Sequence, residues 1–202
     1  VRGEGTAPDD ALRRTVRIVA ILNLAWFGVE AAVAAAIGSV SLFADSVDFL
    51  EDAAVNLLIL AALGWSLRAR STAGLAMAGI LLVPGLATLW TAWETFGSPV
   101  APDAVLLTLA GTGALLVNGT CALMLARVRG HGGSLSHAAF LSARNDVLAN
   151  VAIIAAGLAT AATLSPWPDL VVGLGILAMN LDAAKEVYEA ATDERRALDD
   201  DD

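Results

Sequence analysis

One cysteine, two histidines and a single lysine leave this chain of 202 residues short of most site chemistry. Cys121 stands alone in an apolar run, so neither a disulfide framework nor a thiolate metal site can form within one chain. His131 and His137 are too few for an imidazole cluster, although both fall in one polar linker between apolar runs. Charge is also scarce, at 16% of residues against the roughly 25% usual in soluble domains. The basic residues are few and scattered, which excludes a nucleic-acid surface. No apolar run carries a G-x-S-x-G, H-E-x-x-H or aspartyl-protease pattern, so the sequence does not read as an enzyme.

What the chain has instead is 57% hydrophobic residues and a mean hydropathy of +0.68, gathered in long runs. Six spans emerge, at 16–37, 40–66, 74–96, 104–126, 137–163 and 168–190. Each is close to the ~20 residues that a bilayer requires. Turn chemistry separates them: Gly38-Ser39, Ser71 to Gly74, Gly97-Ser98-Pro99, Gly130 to Ser134, and Ser165-Pro166-Trp167-Pro168. Pro84-Gly85 predicts a kink in the third span. A cleaved secretory signal is the alternative for the first run, but Glu30 interrupts it and similar runs keep following. The expected fold is all-α: a polytopic membrane protein with six transmembrane helices.

Arginines assign its sidedness. Arg13, Arg14 and Arg17 precede the first span, Arg68 and Arg70 follow the second, and Arg127 and Arg129 follow the fourth. Lys185, Arg195 and Arg196 lie at the C-terminal end, whereas the alternate loops contain no Lys or Arg. Both termini are therefore expected in the cytoplasm. Trp90, Trp93 and Trp167 then fall near the outer interface and Trp65 near the inner one. Residues 1–12 read as a disordered lead, 13–190 as the six-helix domain and 191–202 as an acidic cytoplasmic tail, with no second domain. The Arg-rich, Lys-poor, Ala-rich usage suggests the plasma (inner) membrane of a bacterium.

The second span is the exception to the apolar pattern. Between Ser39 and Leu60 it carries Asp45, Asp48, Glu51 and Asp52. An unpaired carboxylate in hydrocarbon costs roughly 2.5–3.5 kcal/mol even on lenient insertion scales. On a helix, Asp45, Asp48 and Asp52 fall within an arc of about 60°, Asn56 follows on that stripe and Glu51 sits at its edge. In the fifth span Ser142, Asp146 and Asn150 are spaced one turn apart. Asp48 and Asp52 lie roughly 12–18 Å from the outer start of their span, and Asp146 roughly 14 Å from the inner start of its own. In a slab of about 30 Å these depths coincide. Two helices thus offer three carboxylates, with Ser142 or Asn150, to one cation. The competing use is interhelical polar glue, to which Asn23, Asn118 and Asn180 are better suited. Arg144 lies 160° around its helix from Asp146 and is expected to pair elsewhere, with Glu30 or Glu51 as candidates.

The stretch GSVSLFADSVDFLEDA resembles the second transmembrane helix of the cation diffusion facilitators, proton-coupled exporters of divalent metals. Their pattern is G-S-x-x-L-x-A-D, followed by a His or Asp, three residues and an Asp. The resemblance implies Asp48 and Asp52 as metal ligands, with Asp45 as a companion acid at the site. Glu30, eight residues before Gly38-Ser39, matches the family's first-helix spacing, and Trp167-Pro168-Asp169 resembles its W-x-D start to the sixth helix. The fifth helix usually reads His-x-x-x-Asp in that family, and here Ser142 holds the His position before Asp146. The family also usually carries a cytoplasmic ferredoxin-like domain, and a short form without it is expected here. A homodimer of such a form would pair through its transmembrane helices.

The function so implied is metal efflux by proton-coupled antiport with alternating access. Its partners are protons, the lipid bilayer and a divalent cation (Zn, Mn, Fe, Co or Cd) as transported substrate, with no cofactor. The alternative is a transport-inactive membrane scaffold or partner subunit that retains the fold.

Overall fold

The computed structural model describes residues 7–62, 85–128 and 133–180, with the side chains at 7–10, 59, 61–62 and 133–143 outside that description. The described residues form six helices in chain order: α1 (Ala7–Ile37), α2 (Val40–Ala62), α3 (85–97), α4 (Ala104–Val128), α5 (Gly133–Thr163) and α6 (Trp167–Asn180). The described residues contain no strand. The chain is an all-α polytopic membrane protein.

Among the described residues, three helices are long and apolar enough to cross a bilayer by length and composition: Ala11–Ile37, Ala104–Val128 and Arg144–Thr163. At 23 residues α2 has similar reach, about 35 Å, but its four acids set it apart. Ile21, Leu24, Leu109, Leu116, Leu123, Leu148 and Leu158 are all exposed, a spread of apolar surface that suits lipid rather than water. The hydroxyls of Thr108, Thr112, Thr120 and Thr163 donate to carbonyls four residues back at 2.7 Å, which removes them from lipid contact.

Local chemistry sets the helix ends. At Gly38, φ is 68°, the left-handed conformation glycine tolerates. The Ser39 amide then reaches back to the Ala34 carbonyl at 3.2 Å, closing α1 with the 6→1 bond of a Schellman motif. Ser39 also starts α2, since its Oγ accepts from the Leu42 amide at 3.2 Å. Asp103 caps α4 through Oδ1, which accepts from the Val105 and Leu106 amides, both at 2.9 Å.

Two expectations change. Residues 7–12 are not part of a disordered lead: they are the first turns of α1, and Leu12 is buried against α4. Pro8, Asp9 and Asp10 are ordinary first-turn residues, which hydropathy alone does not register. Arg144 is exposed while Glu30 is fully buried with no bonding partner for either carboxyl oxygen, so these two do not pair. The kink at Pro84-Gly85 cannot be followed because position 84 lies outside the described residues, as do His131 and the side chains of His137 and Ser142.

We call the end of the bundle carrying the Gly38-Ser39, 98–103 and 164–166 links the outer end. Helix α1 packs on α2 and α4, α4 on α5, and α2 on α5. One apolar cluster, including Val16, Val19, Cys121 and Leu125, fills the inner half. A second, including Ala34, Leu42, Leu107, Ile153, Ile176 and Leu177, fills the outer half. Between them lies a layer of buried polar side chains: Asn23, Glu30, Asp45, Asp52, Asn56, Asn118 and Asn150.

Candidate cation site

Asp48, Glu51 and Asp52 of α2 meet Asn145, Asp146 and Ala149 of α5 around one cavity of about 170 Å³, walled on its third side by Ile176, Met179 and Asn180 of α6. Asp48, Asp52 and Asp146, whose depths agree in the sequence, line this one cavity. Asp52 is 7% exposed, whereas Asp48 and Asp146 are half-buried. Asp52 and Asp146 face the same cavity from α2 and α5. Glu51, read from sequence as an edge residue, is part of the lining.

Asp45 and Asn150 stand elsewhere. Both are fully buried and neither lines the cavity. Asn150 donates to Asp45 Oδ2 at 2.7 Å and accepts from Asn118 at 3.0 Å, so both ends of its amide are engaged. Asp45 also faces Glu30 at hydrogen-bonding range. Glu30 Oε1, Oε2 and Asp45 Oδ1 find no donor within the protein, an arrangement that one proton held between the two carboxyls relieves. Asn56 does not line the cavity either: its Nδ2 donates to the Asp52 carbonyl at 2.7 Å, and its buried Oδ1 finds no donor among the described residues.

A second polar string reaches the cavity from α1. Asn23 Nδ2 donates to Asp52 Oδ2 at 3.4 Å, and the Cys121 thiol approaches Asn23 Oδ1 at 3.6 Å. On the α6 side Asn180 donates to the Ala44 carbonyl at 3.1 Å. The three asparagines expected to link helices all do so. Among the described residues, no three His, Cys, Asp or Glu side chains converge closely enough to enclose a metal ion. The acids border an open cavity, where a bound cation keeps some water or draws the helices inward.

One pairing is not expected from the sequence. Asp169, in the first turn of α6, bonds to the start of α2, 128–130 residues earlier in the chain. The W-x-D resemblance at Trp167 to Asp169 and the Gly38-Ser39 motif each mark one end of it, but nothing in the sequence joins the two.

An acidic cavity between helices with apolar outward faces is what a membrane protein that handles cations requires. Residues 16–192 match the cation efflux transmembrane domain, and the chain belongs to that family of membrane cation transporters, the cation diffusion facilitators. Comparison with curated proteins finds no match.

Proposed function

We propose that this chain exports divalent metal cations in exchange for protons by alternating access, with Asp48, Asp52 and Asp146 holding the cation. One observation supports the reading above all: carboxylates from two different helices line the same mid-membrane cavity. Charges so close in a poorly solvated site repel, and either protons or a divalent cation neutralises them. A metal that needs deprotonated ligands releases protons on binding, so the exchange is itself the coupling. Ser142, one turn before Asp146 in the sequence of α5, is the candidate for a further oxygen ligand. Asp45 and Asn150 serve as the buttress behind α2 and α5. The composition suits a bacterial inner membrane.

Oxygen ligands suit Mn²⁺ and other hard cations, whereas Zn²⁺ gains most from imidazole and thiolate. Affinity still rises toward Zn²⁺ along the Irving–Williams order, so the expected result is a narrowed preference for Zn²⁺. Calorimetry with Mn²⁺, Fe²⁺, Co²⁺, Zn²⁺ and Cd²⁺ on purified protein tests this. Mutually competing binding that is lost in Asp146→Ala supports the reading, and no binding of any of the five contradicts it.

One observation favours a second reading, a transport-inactive scaffold that retains the fold. Among the described residues, the acids border the cavity without three of them converging on one point. Metal-dependent proton flux separates the two.

A further inference from the structure

The outer ends of α2 and α6 meet on one carboxylate. Asp169 Oδ1 accepts from the Ser39 hydroxyl at 2.7 Å, the Ser41 hydroxyl at 2.5 Å and the Ser41 amide at 3.3 Å. Its Oδ2 accepts from the Val40 amide at 2.8 Å. Asp169 is 2% exposed and both serines are fully buried. A carboxylate there is stabilised by four donors and by the positive ends of two helices, because α6 itself starts beside it, at Trp167.

The grip extends down the helix pair. A Cβ on Gly173 would lie 2.6 Å from the Ser41 nitrogen, so only glycine admits this approach of α6 to α2. Asn180 then bonds to Ala44, one turn before Asp48. Helix α2 is thus held by α6 at its first turn and again beside the cavity. Ser41 and Asp48 are seven residues apart, close to two full turns, so a rotation of the α2 start transfers directly to the direction in which Asp48 points.

We propose that Asp169 is a positioning residue for cation binding: by gripping residues 39–41 it sets the rotation and depth of α2, and so the aim of Asp48 and Asp52 toward Asp146. This rests on the reading of their shared cavity as the cation site. Asp169→Asn tests it, because the amide keeps one acceptor oxygen but presents an NH₂ to donors of α2. The readouts are Zn²⁺ calorimetry on the folded, monodisperse fraction, and the distance between nitroxides at Leu57→Cys in α2 and Leu148→Cys in α5. Both labelled positions are exposed, and native Cys121 is fully buried.

The expected result is a Kd for Zn²⁺ raised about tenfold, with a broadened or shifted α2–α5 distance, although every acid of the cavity is intact. Ser41→Ala, which removes a single donor, should move both readouts the same way by less. A folded Asp169→Asn protein with wild-type Kd and wild-type distances would overturn the proposal, since Asp169 would then only support folding. If Asp169→Asn does not fold, Ser41→Ala decides on the same two readouts, and no change in either overturns the proposal. Asp48→Asn is the control. If it binds Zn²⁺ like wild type, the cation-site reading has failed, and the distance alone then decides whether Asp169 sets α2.

Discussion

Asn150 donates to Asp45 at 2.7 Å, and the same amide accepts from Asn118 at 3.0 Å. The bonds tie α2, α4 and α5 together behind the cavity and engage both ends of the Asn150 amide. Asn150→Ala should therefore act on stability. It strips Asp45 of a donor and Asn118 of an acceptor, at a cost of about 2–4 kcal/mol. Thermal unfolding in detergent should show the loss, while the metal Kd of the folded fraction moves far less than in Asp48→Ala. Affinity lost at unchanged stability would mean that Asn150 reaches the cation after all.

Glu30 and Asp45 give the opposite expectation. Their facing carboxyls leave three buried oxygens without donors inside the protein. Glu30→Gln brings an NH₂ to that contact at almost unchanged volume. It should raise the unfolding midpoint by about 2–4 °C, and a lowered midpoint would show that the carboxyl itself is needed there.

Ser142 bears on metal choice. Ser142→His restores the imidazole that related fifth helices carry one turn before the aspartate. It should raise Zn²⁺ affinity more than Mn²⁺ affinity. An unchanged ratio in paired titrations would show that position 142 does not face the cavity.

The arginines predict the sidedness. Single cysteines introduced near either terminus, or in the loops at 68–70 and 127–129, should react with a membrane-impermeant reagent only after the inner face is opened. Labelling of either terminus in intact cells would reverse the assignment.

The acids at 48, 52 and 146 are legible in the sequence because every carboxylate in an apolar run is an energetic exception, and spacing from the helix ends brings their depths together. Which of them turn toward the cavity is not legible. Asp45 shares a stripe with Asp48 and Asp52, and only the approach of α1 and α5 draws it to Glu30 and Asn150. Asp169 is harder still, because an acid in a helix's first turn looks like an ordinary dipole partner of its own helix. Its bonds to Ser39 and Ser41 depend on how α5 returns the chain to the outer end. At Ala7 to Leu12 the start signals are present, but reading hydropathy runs marks the lipid-facing stretch rather than the helix.

Metal uptake into proteoliposomes carrying an internal pH reporter tests the central claim most directly. Wild-type protein should move Zn²⁺ or Mn²⁺ with opposing proton flow. Asp48→Ala, Asp52→Ala and Asp146→Ala should each abolish both fluxes while inserting at near wild-type yield. Wild-type flux in any of the three, or no metal flux in the wild-type protein itself, would contradict the account.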